Sequence, residues 1–163
     1  MSPRIDLEVS ALILNEARLI DLKRWDAWLS LYSEDAVFWM PTWRDEASTN
    51  EDPEFELNLM YLKGRAGLED RIYRLDSGDS FASVPLDRTT HVVGGVLVTG
   101  GDTERIDVQA SWIVHTYGYH GTTTRSGSYE YQLRRSVEGL RIARKKIIMI
   151  DDRLEGPVDV YHV

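Results

Sequence analysis

The chain has 163 residues, 42% hydrophobic and 28% charged, which suits one ordinary globular domain with a buried core. A net charge of −8 argues against a nucleic-acid binder or an acidic-membrane binder, because neutralising phosphate requires the opposite sign. With no cysteine, this chain can supply no disulfide, zinc ribbon, thiolate nucleophile or iron–sulfur ligand set. No window approaches the apolar length of a membrane span, and the charged start Met1-Ser2-Pro3-Arg4-Ile5-Asp6 lacks the apolar core of a secretory signal. A cytoplasmic protein is expected.

In chain order, residues 6–22 read as an amphipathic helix, with Val9, Leu12, Ile13, Ala17 and Ile20 on one stripe. Trp25, Trp28, Leu29 and Tyr32 repeat the helical spacing and predict a second, aromatic helix face that plugs the core. Ser33-Glu34-Asp35 is a polar break. Ala36–Met40 then reads as a first strand stopped by Pro41. From Thr42 to Lys63 the periodicity dissolves into an acidic loop, which reads as a solvated surface loop or as a segment that is functional, ordered by a partner or mobile. Gly67–Leu75 predicts a third helix with Leu68, Ile72 and Leu75 on one side, ended by Ser77-Gly78-Asp79.

Everything after Thr89 reads as sheet. His91–Thr99 is a β-branched run with a bulge expected at Gly94-Gly95, and Gly100-Gly101-Asp102 is a turn. Ile106, Val108, Ala110, Trp112 and Val114 alternate with polar neighbours for a full strand. The next strand, about 122–137, places Tyr129, Tyr131 and Leu133 on one face. After the turn Glu138-Gly139, Leu140–Ile150 is the last strand, its alternation broken around Arg144-Lys145-Lys146 by a bulge or two-sided burial. The order is helices first and an antiparallel meander after, so the expected class is α+β, a single domain over 1–163 in which a long curved sheet wraps the N-terminal helices into a cone.

Motifs for chemistry are sparse. Asp107 and His115 share a strand face but lie about 26 Å apart at strand rise, too far for one metal ion. No nucleophile elbow or phosphate-cradling glycine loop is present. Asp26, Tyr32, Tyr61, His91, His115 and Tyr131 are residues of the type an acid–base pocket would use. Arg134, Arg135, Arg141, Arg144, Lys145 and Lys146 form a basic cluster opposed only by Glu138 in the local sequence. It is either a charged sheet face that resists edge pairing or a complement to an acidic partner surface.

Four segments, in order, resemble the small (beta) subunits of aromatic-ring-hydroxylating dioxygenases, the Rieske non-haem iron oxygenase systems. They are Asp26–Pro41, Leu62–Leu75, Ser83–Val93 and Ile142–Asp152. Arg65, Gly67, Leu68 and Arg71, followed by Pro85, Arg88 and His91, are the most specific matches. The resemblance implies a cone-shaped cystatin-like or ketosteroid-isomerase-like fold with no metal, cofactor or catalytic residue in this chain. It implies a larger alpha subunit carrying a Rieske [2Fe-2S] cluster and a mononuclear iron, an alpha3beta3 hexamer, and electrons from NADH through a reductase or ferredoxin. The reaction so implied is dihydroxylation of an arene in aromatic catabolism. The short N-terminal part before the first helix leans toward the benzoate, toluate and anthranilate type. Arg65, Arg71 and Arg88 are the expected subunit-interface residues, making charge-assisted bonds that fix loops at contacts. The alternative is a stand-alone cone-fold isomerase, dehydratase or cyclase for a small hydrophobic substrate, with Asp26 and His91 as its first candidates, or a binding module of the same fold.

Overall fold

The structure, a computed structural model, describes residues 3–78 and 84–163, with side chains from Ile5 onward. Asp79 of the expected helix stop and Ser83 of the third matching segment lie outside the described residues, as do Met1 and Ser2. Helix α1 spans Pro3–Asp21 and the short α2 spans Trp25–Leu29. Strands β1 (Tyr32–Pro41) and β2 (Asn58–Lys63) follow, then α3 (Gly64–Asp76). Strands β3 (Arg88–Gly101), β4 (Arg105–Gly118), β5 (Gly121–Ser136) and β6 (Gly139–Met149) complete the sheet, and a 3-10 turn at Val160–His162 closes the described chain. Among the described residues no helix is long and apolar enough to cross a membrane.

The six strands form one sheet in the order β2-β1-β6-β5-β4-β3. Every pairing is antiparallel except β1 with β6, where the first and last strands meet in parallel. The periodicities in the sequence decide which side is inside. On α1, Val9, Ile13, Ala17 and Ile20 are buried, and on β4 all five of Ile106, Val108, Ala110, Trp112 and Val114 are buried. Leu68, Ile72 and Leu75 bury the inner side of α3. Together with Tyr129, Tyr131 and Leu133 from β5 they make one continuous core between helices and sheet. The close approach of β5 to β6 depends on Gly127, where a Cβ would sit 1.8 Å from the Ile148 carbonyl oxygen. Gly101, at φ +115°, makes the corresponding tight exit from β3.

Several boundaries differ from expectation. The aromatic helix face ends early, since α2 stops at Leu29 and Tyr32 opens β1. Ser33-Glu34-Asp35 is not a break but part of β1, in an irregular stretch where the pairing with β6 shifts between Tyr32 and Val37. These polar residues fit there because cations reach them from neighbouring elements, Arg134 to Asp35 at 3.0 Å and Arg65 to Glu34. The expected loop to Lys63 is shorter, because Asn58–Lys63 is the edge strand β2. The remaining segment, 42–57, is ordered by its own bonds: Asn50 donates to Thr42 Oγ1 and the Leu57 carbonyl, and Glu56 accepts from the backbone of Glu51 and Asp52. The bulge expected at Gly94-Gly95 is present as a register shift between Gly94 and Leu97. The broken alternation on β6 is also a bulge: Leu133 faces Ile142 but Gln132 faces Arg144, which leaves Ala143 extra and turns Lys145 inward.

Candidate functional site

The inside of the cone is where a pocket enzyme of this architecture would hold its acid and base. Here that space contains a buried ion pair. Glu16 on α1 and Lys145 on β6 meet at 2.9 and 3.0 Å, with both side chains almost fully buried. Trp28 Nε1, Tyr32 Oη and Tyr131 Oη donate to the same carboxylate at 3.0, 2.8 and 3.2 Å. Lys145 also lies 4.2 Å from the Tyr129 ring centroid. Burial alone would raise the Glu16 carboxyl, but Lys145 and the three donors outweigh it and hold it below its ordinary value. Tyr32 and Tyr131 are pushed well above the ordinary phenol value by burial and by the Glu16 charge, so both keep the protons they donate. Each group of this cage is bonded to another member.

The acid–base candidates do not converge. Tyr32 and Tyr131 come together on Glu16, but Asp26 is exposed on the outer side of α2, in an open cleft of about 1020 Å³ against α3. Tyr61 faces Glu54 at an exposed strand edge, and His115 meets Thr124 on the outer sheet face. His91 is tied to Asp21, with Nδ1 2.5 Å from Oδ1, while its backbone N–H donates to Oδ2 at 2.9 Å. Burial would raise the Asp21 carboxyl, and the His91 and Thr89 bonds overcome it, so it titrates below the usual value. His91 Nε2 points to the Val163 carbonyl at 3.3 Å. Lys23 completes this corner by donating to Thr89 at 3.2 Å, its amine pushed down to about 8 by burial.

The three predicted arginines have distinct roles within the chain. Arg71 makes a bidentate bond to Asp159 at 2.9 and 2.7 Å, which pins α3 to the C-terminal segment. Asp159 in turn caps the 3-10 turn by accepting from the Val160 N–H, and Val160, Tyr161 and His162 are buried behind it. Arg65 bridges Glu34 on β1 and Glu69 one helical turn along α3. Arg88 makes no ion pair among the described residues of this chain, and its exposed guanidinium lies 5.1 Å from the Tyr117 ring centroid. The basic cluster is likewise matched at home, beyond the single Glu138 visible in local sequence. Arg134 pairs with Asp35, Arg135 with Glu8, Arg141 with Glu138, Lys146 with Glu130 and Lys145 with Glu16. Arg144 and Lys146 flank the Trp39 ring at 5.0 and 4.9 Å.

At the open end of the cone sits a smaller recess of about 280 Å³, lined by Thr116, Arg125 and His162 among others. It went unnoticed in the sequence because Arg125 reads as one more polar residue near a strand start. The inward phase of β5, set by Tyr129 and Tyr131, was the available signal, since position 125 shares their parity.

A fold of helices on a curled, mainly antiparallel sheet, with a buried ion pair between them, defines a cystatin-like cone. An NTF2-like protein with a cystatin-like fold from Novosphingobium aromaticivorans shares it at TM-score 0.63 and 20% identity, covering 90% of this chain and 82% of that one. The chain belongs to the ring-hydroxylating beta-subunit family, whose model matches residues 15–156. It is 40% identical over 157 residues to the 2-halobenzoate 1,2-dioxygenase small subunit of Burkholderia cepacia, covering 96% of this chain and 95% of that one. The crystal structure of the benzoate 1,2-dioxygenase beta subunit of Burkholderia mallei superposes at TM-score 0.79 with 34% identity, covering 95% of each chain. A beta subunit implies an alpha subunit as partner. The groups associated with such systems do not fit this chain: a Rieske cluster needs thiolates, of which there are none, and the described residues hold no His/Asp/Glu trio able to chelate iron.

Proposed function

We propose that this chain is the non-catalytic structural subunit of an aromatic-ring-hydroxylating dioxygenase that acts on an aromatic carboxylic acid. The observation that carries the reading is near full-length identity of 34–40% with small subunits of halobenzoate and benzoate dioxygenases. The interior supports it, because Glu16, Lys145, Tyr32 and Tyr131 bond one another there. In this reading the single domain over 1–163 works in the cytoplasm as part of an alpha3beta3 hexamer. The alpha subunits hold the Rieske cluster and the mononuclear iron, and a reductase or ferredoxin delivers electrons from NADH.

Arg65, Arg71 and Arg88 have different parts in that assembly. Arg71 and Arg65 shape the surface from within by fixing the C-terminal segment and the start of β1. Arg88, exposed beside Tyr117, is the candidate for direct contact with another subunit. The test is native mass and iron content of the chain expressed alone and then with its neighbouring large-subunit gene. The expected result is an inert, iron-free species alone and an iron-bearing hexamer on co-expression, with Arg88→Ala lowering the hexamer fraction on dilution. A chain that ignores the large subunit and turns over a substrate by itself would overturn the reading.

A further inference from the structure

The recess at the open end of the cone differs from the interior in one respect: its cation has no counter-ion among the described residues. Arg125 extends from the inner face of β5 and is only 7% exposed. Among the described residues its one hydrogen bond runs from Nη2 to the Glu155 carbonyl at 3.5 Å, the long limit for such a contact, and no carboxylate lies at ion-pair distance. Asp87 and Asp151 are near enough to act on its charge, yet burial still lowers its basicity. Asp87 is already engaged, because it accepts from His162 Nε2 at 3.1 Å while His162 Nδ1 accepts from the Asp159 N–H. Burial keeps that imidazole below its ordinary value, which suits the neutral tautomer this pair of bonds requires.

A second buried donor faces the same space. Thr116 is 4% exposed, and its hydroxyl has no hydrogen-bond partner among the described residues. A buried polar atom left unpaired is costly, and a buried unpaired guanidinium more so. Two such groups lining one cavity point to something that satisfies both. The walls add an apolar requirement, since Val84, Pro85, Tyr119 and Pro157 line the same recess.

We propose that this recess binds a small organic acid, its carboxylate held by Arg125 and Thr116 and its apolar body seated against Pro85, Pro157 and Tyr119. A carboxylate is the right partner on geometric grounds: its two oxygens accept the fork of guanidinium N–H groups, and either can also accept the threonine hydroxyl. The volume of about 280 Å³ suits a single-ring acid or smaller. The proposal is independent of the assembly reading, because it concerns only side chains of this chain.

The test uses the full chain with benzoate as probe and benzamide as its neutral counterpart, followed by calorimetric titration and thermal melting. Benzoate is expected to bind and raise the melting temperature, while benzamide does not. Arg125→Met is expected to weaken benzoate about ten- to a hundredfold, and Thr116→Val about two- to tenfold. Without ligand, Arg125→Met is expected to melt no lower than the parent, because it removes an uncompensated buried charge. That expectation separates lost binding from lost folding. Three results would overturn the proposal. One is equal binding of benzoate and benzamide, and another is benzoate affinity unchanged in Arg125→Met. The third is no benzoate effect together with a lower melting temperature in Asp151→Asn, which would make Arg125 a structural partner of Asp151. An acidic side chain of the large subunit offers the same chemistry. It would show as no benzoate binding to the isolated chain but weaker co-purification of Arg125→Met, and that outcome rejects the free acid as occupant.

Discussion

The cone interior and the recess at its mouth each bury a cation, and they treat it in opposite ways. Lys145 meets a carboxylate with three further donors closing around it. Arg125 meets a single carbonyl at 3.5 Å. A buried charge with a full set of partners holds helices and sheet in one arrangement, because breaking any member strands the others. A buried charge without partners stabilises nothing by itself and gains only when a partner arrives. Burial alone therefore does not mark a functional cation in this fold, whereas the completeness of its partner set does.

Disturbing the interior sharpens that contrast most. Lys145→Met leaves Glu16 buried and uncompensated and is expected to cost about 3–5 kcal/mol in denaturant unfolding. Glu16→Gln added to it keeps an acceptor for Tyr32, Tyr131 and Trp28 and is expected to return most of that loss. A double mutant as unstable as the single one would mean that the cage depends on the ion pair itself.

The acid limb of stability follows from Glu16 in that cage and from Asp21 in the corner beside His91. Glu16 and Asp21 titrate below their ordinary values of 4.5 and 3.8 in the folded chain, so the unfolded chain binds protons first as pH falls. The stability they supply is complete above those values and drains away as pH drops through the lower folded ones. Denaturant midpoints measured from about pH 6 to about pH 3 should fall, and less steeply for the Glu16→Gln/Lys145→Met pair.

Arg71 marks the border between the two regions, because the tail it pins carries His162 to the recess. With its side chain 35% exposed, Arg71→Ala is expected to cost only about 1–2 kcal/mol, reduced by solvent screening. Hydrogen exchange should quicken selectively at 159–163, while β4 and β5 keep their protection.

Local pattern carried much of this architecture. The stripe on α1, the alternation on β4 and the bulge at Gly94 were readable because each rests on a periodicity within one element. The resemblance in Asp26–Pro41 and Leu62–Leu75 led to the family. What stayed hidden depends on meetings between distant residues. Glu16 lies beside the apolar stripe and pairs with a lysine 129 positions away, which no local spacing announces. Lys145 sat in a run of cations that read as surface, and only the extra residue at Ala143 turns it inward. Strand β2 is hard to tell from loop in the sequence because an edge strand buries little, with Met60 its one buried residue. Arg65, Arg71 and Arg88 look alike in the sequence, yet they separate into a bridge, a clamp and a surface group beside Tyr117 once their neighbours are known.

The most direct test of the central claim, that this chain serves as architecture rather than as a catalyst, is turnover per iron in the complex reassembled with the Glu16→Gln/Lys145→Met chain. The account predicts that hexamer formation, iron content and kcat for an aromatic acid all match the parent complex. A complex that assembles with full iron yet loses kcat would place the cone interior in the chemistry and contradict the account.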